Sequence, residues 1–233
     1  MNFSTWEPVY EAILEDFGYD RSGDERARDV LAEFARPFPI DLLENELGGK
    51  TVAIAGAGPS LEQEIELAAG ADRVIAASTA VDHLHEAGIS VDLMVTDLDK
   101  NPDTACRLSR ESVPVAIHAH GDNIRALRRF VPRFDVEQVL ATTQAEPVSP
   151  VENFGGFTDG DRGAFLADHF GAGRLVFLGW DFDDTSVGLE KRRKLRWAER
   201  LLEWLERRRD ERFSILEGRH DTISEPIARS DGQ

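Results

Sequence analysis

Six short apolar runs divide the chain from residue 51 onward: TVAIAGAG (51–58), RVIAAS (73–78), DLMVTD (92–97), PVAIHAH (114–120), VEQVLATT (136–143) and RLVFLGWD (174–181). Their apolar residues are nearly continuous, as in strands covered on both faces. Segments of helical periodicity lie between them, at 60–70, 79–88, 102–111, 121–130 and 161–171. Buried strands alternating with helices predict an α/β fold, a three-layer α/β/α sandwich around a mostly parallel sheet. Right-handed crossovers in such a sheet set the strand C-terminal ends along one rim.

The flanks read differently. Trp6, Val9, Tyr10, Ile13, Leu14 and Phe17 recur at helical spacing. A break at 18–24 follows, and Asp24 is placed to cap a second helix that Pro37 and Pro39 end. A short third helix starts near Ile40 and closes at Gly48-Gly49. This N-terminal helical segment (1–47) is expected to carry no chemistry and to pack on the main domain or on another subunit. The α/β domain spans 48–216 and ends in a long helix, 189–213, with Leu195, Leu201, Leu202 and Leu205 on its apolar side. Trp and Leu on the terminal helices suit a homo-oligomer interface or simply a core. Residues 217–233 read as a flexible, solvated tail. The Pro- and Gly-rich stretch 144–160 is long for a connection inside a compact domain, which marks it as functional.

Composition narrows the class. Apolar residues make up 41% and charged residues 30% of the 233, as in a folded globular protein. Forty-four acidic residues face 27 basic ones, for a formal net charge of -17. Such a surface repels nucleic acid and anionic membranes, so neither is an expected partner. The acids are spread along the whole chain and lysine is confined to Lys50, Lys100, Lys191 and Lys194, a pattern that suits the cytoplasm of a halophile. A partner that needs an acidic surface is the other reading. Cys106 is the only cysteine, which excludes an internal disulfide and a thiolate zinc cage. The first residues do not read as a signal peptide and no apolar run is long enough to span a membrane. A soluble cytoplasmic protein is expected.

Candidate chemistry gathers at the predicted rim, where open α/β sheets bind ligands. In GAGPSLE, Gly56 and Gly58 permit a tight turn and Ser60 is placed to cap the next helix, whose amides would face an anionic oxygen such as phosphate. A tight turn without a ligand explains the same residues. The third run ends at Asp97 and Asp99, and a turn after Thr96 would bring both carboxylates toward one Mg²⁺. Asp99 as a cap for the helix at Pro102 is the plainer account. HAHGDN offers Asp122 as a third carboxylate and His120 as a phosphate contact, with His118 alternating into the core. GFTDGDRG brings Asp159, Asp161 and Arg162 to a helix start, Arg162 suiting phosphate and either aspartate suiting an N-cap. Lys191 and Lys194 share a helix face and suit a triphosphate or ion pairs with nearby acids such as Glu190.

Taken in order, Asp97-x-Asp99, Gly-Asp122-Asn, GGFTDGDRGAFLA and LGWDF with a following KRRKLRW resemble the archaeal 6-hydroxymethyl-7,8-dihydropterin pyrophosphokinases. These are distant relatives of the thiamin pyrophosphokinases, and the likeness covers roughly residues 48 to 200. The thiamin family's Asp-Ser dipeptide reads Asp99-Lys100 here, which leaves a pterin the more plausible acceptor. The resemblance implies a thiamin-pyrophosphokinase-like core that moves diphosphate from ATP to a pterin alcohol and releases AMP. It implies Mg²⁺ held by Asp97, Asp99 and Asp122. Lys191, Lys194 and Arg162 would assist, and Asp122 or Asp161 would serve as base. Phe157, Trp180, Asp181 and Asp159 are available to the pterin ring. The rivals are a Rossmann-type nucleotide- or S-adenosylmethionine-binding transferase or oxidoreductase built on GAGPSLE, and a non-catalytic module that binds a phosphorylated ligand.

Overall fold

The computed structural model describes residues 1–221, Ile223 and Ile227. Helices α1 (Phe3–Phe17), α2 (Arg21–Ala32) and α3 (Ile40–Leu47) precede the sheet. The six apolar runs form β1 (Thr51–Ala55), β2 (Arg73–Ala77), β3 (Leu93–Thr96), β4 (Val115–Ala119), β5 (Val139–Thr143) and β6 (Arg174–Leu178). Between successive strands lie α4 (Leu61–Ala69), α5 (Ala80–Glu86), α6 (Pro102–Arg110), α7 (Ile124–Phe130) and α8 (Asp159–His169), and α9 (Leu189–Arg209) follows. Every strand pair is parallel, in the order β5-β4-β3-β2-β1-β6.

Alternation along each strand sends neighbouring side chains into opposite cores. Val52, Ile54, Ile75, Val95 and Leu140 meet α1, α3, α8 and α9 through Trp6, Ile13, Leu47, Phe165 and Leu201. Ala53, Val74, Met94, Ile117 and Val139 meet α2, α4, α5, α6 and α7 through Leu31, Leu61, Leu84, Cys106 and Leu127. The sheet is therefore buried on both faces, and the three-layer α/β/α sandwich follows. Helix α8 packs across β1, β2 and β3, so its N-terminus reaches the rim where these strands end.

The apolar runs outlast the strands because their last residues leave the ladder for the rim. The run at 136–143 starts as a 3-10 turn, Val136–Gln138, and α7 starts only at Ile124 because 120–123 is a turn. The cap of α2 is Asp20, whose side chain accepts from Ser22 N at 3.1 Å, rather than Asp24. Asp24 lies inside the helix, 5% exposed. The expected solvated tail is partly packed. Arg219 pairs with Asp183 and Glu199, and Ile223 and Ile227 are buried in the core of the α9 face. The rest of that stretch, 222, 224–226 and 228–233, lies outside the described residues. Among the described residues no helix is long and apolar enough to cross a membrane.

Candidate active site

β3 ends in two overlapping turns. The Leu98 amide donates to Thr96 Oγ1 at 3.0 Å, and the Asp99 amide donates to Asp97 Oδ1 at 3.0 Å. Leu98 takes the left-handed conformation, φ 67°, which costs a branched side chain about 1–2 kcal/mol. Its side chain returns to the core, 2% exposed, and that burial offsets the strain. The turn leaves both carboxylates outside the core. This is why the apolar run stops at Asp97.

The end of β4 is fastened to the same turn. Asn123 Nδ2 donates to Asp97 O at 2.9 Å and to His118 O at 2.7 Å, while Asn123 Oδ1 accepts from His120 N at 3.0 Å. His120 Nε2 then sits 3.4 Å from Asp97 Oδ2. His118 faces inward, fully buried, as expected of an alternating position. The Thr142 hydroxyl donates to Ile117 O at 3.1 Å, so His118 Nδ1, 3.2 Å from Thr142 Oγ1, is the donor of that pair. Burial holds the His118 pKa well below its usual value.

The third wall is the head of α8. Arg162 Nη1 pairs with Asp159 Oδ1 at 3.2 Å, and Nη2 donates to Gln144 Oε1 at 3.1 Å. Gln144 Nε2 donates to Asp24 Oδ2 at 2.7 Å. Thr158 and Asp161 close a capping box on α8.

Charge is unbalanced across these walls. Burial opposes ionisation of Asp97, but hydrogen bonds from His120 and Asp99 outweigh it and hold the carboxyl well below its usual range. Burial and the neighbouring Asp97 push Asp99 up to about 6. Burial, then the charges of Asp97 and Asp99, push Asp159 up to about 8 against the pull of Arg162 and Lys191. Lys191 is exposed as a residue, yet burial of its ammonium and the nearby Lys100 lower its pKa, while Asp159 raises it. Burial and the crowding of like charge thus favour the neutral form of Asp99 and Asp159 beside an ionised Asp97. That donor chemistry fits a hard divalent cation. Among the described residues no three His, Cys, Asp or Glu side chains form a cage for a metal on their own. A site that uses one or two carboxylates and completes its shell with phosphate oxygens and water needs no such cage.

Several expected site residues are engaged elsewhere. Asp122 is exposed on its turn, and the neighbour that enters the site is Asn123. A carboxylate triad of Asp97, Asp99 and Asp122 is not assembled; Asp159 is the acid whose field reaches the other two. Asp161 is fully buried and accepts from Phe157 N, Thr158 N and Thr158 Oγ1, which leaves it no role as a base. Phe157 is buried against Phe17, ring centroids 5.2 Å apart, so it is core and no wall for a ligand. Arg162 turns Nη1 to Asp159 and Nη2 to Gln144 from a buried position, and among the described residues its buried Nε has no hydrogen-bond partner. Lys194 pairs with Glu190 at 3.2 Å.

The glycine turn after β1 is also closed. Strand order reverses between β1 and β6, the place where a dinucleotide would enter. There Gly56 N donates to Leu178 O and Gly58 N to Gly179 O, both at 2.9 Å. Ser60 makes no side-chain cap; its amide donates to Asp181 Oδ2 at 2.9 Å. The anion at the head of α4 is the protein's own Asp181, in the position expected for phosphate.

The model of the family described as 6-hydroxymethylpterin diphosphokinase MptE-like matches residues 26–187. The chain belongs to this family. The match runs from α2 to beyond β6 and includes Asp97, Asp99, His120, Asn123, Gln144, Asp159 and Arg162. Three curated relatives carry the name 6-hydroxymethyl-7,8-dihydropterin pyrophosphokinase. That of Methanothermobacter thermautotrophicus is 37% identical over 91% of this chain and 99% of its own. That of Pyrococcus furiosus is 39% identical over 88% and 94%, and that of Methanocaldococcus jannaschii 33% over 88% and 96%. The chain thus resembles these enzymes over nearly their full length.

Asp24 and Gln144 escape the sequence reading. Gln144 is the first residue past β5, a rim position like the others, so the rule of strand ends points to it. Asp24 reads as a cap, and only the packing of α2 reveals its direction.

Proposed function

We propose that the protein transfers diphosphate from ATP to 6-hydroxymethyl-7,8-dihydropterin and releases AMP. The observation that carries the reading is the Thr96–Asp99 turn, which sets two carboxylates beside His120 in a chain with relatives named for this reaction. The acceptor hydroxyl oxygen attacks the β-phosphorus, the bond from that phosphorus to the α,β-bridging oxygen breaks, and AMP leaves with that oxygen. The hydroxyl proton passes to solvent or to a neighbouring base.

Asp97 and Asp99 would hold Mg²⁺, which when bound neutralises charge on the phosphate oxygens. His120 orients Asp97 through their contact at 3.4 Å. Lys191 and Lys100 feel one another's charge and lie in the field of the acid cluster, which suits them to the ATP phosphates. Asp159, fixed by Arg162, offers the acceptor a carboxyl; Phe157 and Asp181 are committed to the fold. Positioning carries more of such a transfer than proton removal does. The filled crevice between β1 and β6 speaks against a dinucleotide-binding reading.

The test is incubation with ATP, Mg²⁺ and a panel of alcohols that includes the hydroxymethyl-dihydropterin and thiamin, scored for AMP. AMP with the pterin and not with thiamin is expected. Asp97→Asn and Asp99→Asn should each abolish it with the fold intact. Full activity in either variant at saturating Mg²⁺ overturns the metal assignment, and no AMP from any alcohol overturns the reaction.

A further inference from the structure

Asp24 is a buried acid that the reaction above does not use. It arrives from α2 and takes three donors from three separate segments. Tyr10 Oη donates to Oδ2 at 2.8 Å, Gln144 Nε2 to Oδ2 at 2.7 Å, and Gly121 N to Oδ1 at 2.8 Å. The approach is close because two glycines face each other. A Cβ on Gly121 would lie 3.2 Å from Gly23 Cα.

Gln144 stands between Asp24 and Arg162, and its orientation is forced. An ionised carboxylate only accepts and a guanidinium only donates. The amide must therefore turn Nε2 to Asp24 and Oε1 to Arg162, as it does. Arg162 passes the order on to Asp159. Through Gly121, Asp24 also holds the turn that carries His120 against Asp97. One acid outside the α/β core thus fixes both polar arms of the site.

We infer that Asp24 is a positioning residue, acting through Gln144 and Arg162 on Asp159 and through Gly121 on His120. The kinetic readout rests on the proposed reaction; the side-chain readout below does not.

The relay is directional, so it can be broken and repaired. In Asp24→Asn, an amide nitrogen faces donors and Gln144 must flip, which turns its own nitrogen on Arg162. In Gln144→Glu, a second carboxylate meets Asp24. In the double variant, the amide introduced at position 24 donates to the carboxylate introduced at position 144. That carboxylate also accepts from Arg162, so the polarity is restored. Gln144→Met cuts the relay while Asp24 keeps Tyr10 and Gly121, and serves if Asp24→Asn fails to fold. Loss of such supporting contacts commonly costs about 10–100-fold in activity. Asp24→Asn, Gln144→Glu and Gln144→Met should each lower kcat by about tenfold or more, with KM for ATP changed less, and the double variant should recover to within a few fold of the wild type. NMR of the arginine side chains should show Arg162 Nη protons protected from exchange in the wild type and the double variant, and unprotected in the singles.

Wild-type kcat in Gln144→Met overturns the relay. So does a double variant that regains thermal stability but neither activity nor Arg162 protection, for that is a purely structural role. If the wild-type protein makes no AMP, the reaction is wrong, and the Arg162 protection pattern alone decides the relay.

Discussion

Asn123 Nδ2 donates to the backbone carbonyl of Asp97 at 2.9 Å, and that contact ties the end of β3 to the end of β4. The same side chain satisfies His118 O and His120 N. Asn123→Ala removes all three bonds and leaves buried carbonyls without a donor. Such unpaired groups cost about 1–3 kcal/mol, or more where several are lost together. For a chain of this size each kcal/mol lowers Tm by about 2–4 °C. Calorimetry should show a fall of several degrees, and AMP formation measured well below Tm should drop as Asp97 drifts from His120. Asn123→Asp should be worse, since a carboxylate cannot donate to either carbonyl. Unchanged AMP formation in Asn123→Ala would mean that the β3 turn holds its own shape.

The acid cluster gives the metal-free protein a pH signature. Asp99 is raised to about 6 and Asp159 to about 8, burial first and neighbouring carboxylates second, whereas unfolded aspartate titrates near 3.9. Both bind protons more tightly folded than unfolded, so stability falls as pH rises, between about 4 and 6 for Asp99 and between about 4 and 8 for Asp159. Asp97 is shifted the other way and acts below this window. Tm of the metal-free wild type should therefore fall more steeply from about pH 5 to about pH 8 than that of Asp99→Asn or Asp159→Asn. Saturating Mg²⁺ should remove the difference in slope, because it takes over the countercharge that protons supply. Equal slopes without metal would show that the three acids do not crowd one another.

The fold is legible in the sequence because burial on both sheet faces makes each strand a continuous apolar run. All six runs contain strands, and the connecting helices fall where the periodicity changes. The site is legible only as a neighbourhood. Asp97, Asp99 and His120 are found by the rule of strand ends, and Asp159 by the paired aspartates at a helix start. Which polar residue of a turn points inward is set by dihedral angles that spacing does not encode. So Asp122 is expected where Asn123 enters, and Asp161 is expected to act where it caps. The glycine stretch misleads for a related reason. A glycine that admits a ligand and one that admits another backbone look the same in a sequence.

Asp122 and Asp161 should part company on mutation. Asp122 is exposed, and Asp122→Asn should leave Tm and Mg²⁺ dependence within the roughly ±0.5 kcal/mol typical of surface changes. Asp161 supplies the capping box of α8 from a fully buried position. Asp161→Ala should cost about 1–2 kcal/mol as a lost cap, and more because Phe157 N is stranded. Titration of Mg²⁺ dependence alongside Tm checks both. A loss of Mg²⁺ affinity in Asp122→Asn at unchanged stability would restore Asp122 to the metal site.

Gly58 separates the two accounts of the turn after β1. A Cβ there would lie 2.7 Å from Gly179 O and 2.5 Å from Asp181 Oδ2. The Asp181 side chain can swing aside, but the carbonyl belongs to the backbone beside β6 and cannot. To fit the methyl, the turn must lift away from Gly179 and give up the Gly58 and Ser60 amide bonds. Overpacking of this kind costs about 1–3 kcal/mol, so Gly58→Ala should lower Tm by about 2–4 °C for each kcal/mol lost. KM for ATP should stay close to wild type in the folded protein, because those amides already serve Gly179 and Asp181. If the turn instead opens to cradle phosphate, Gly58→Ala should raise KM for ATP at least tenfold while Tm hardly moves. The ratio of the two effects, measured on one preparation, decides whether β1 delivers its glycines to a substrate or to β6.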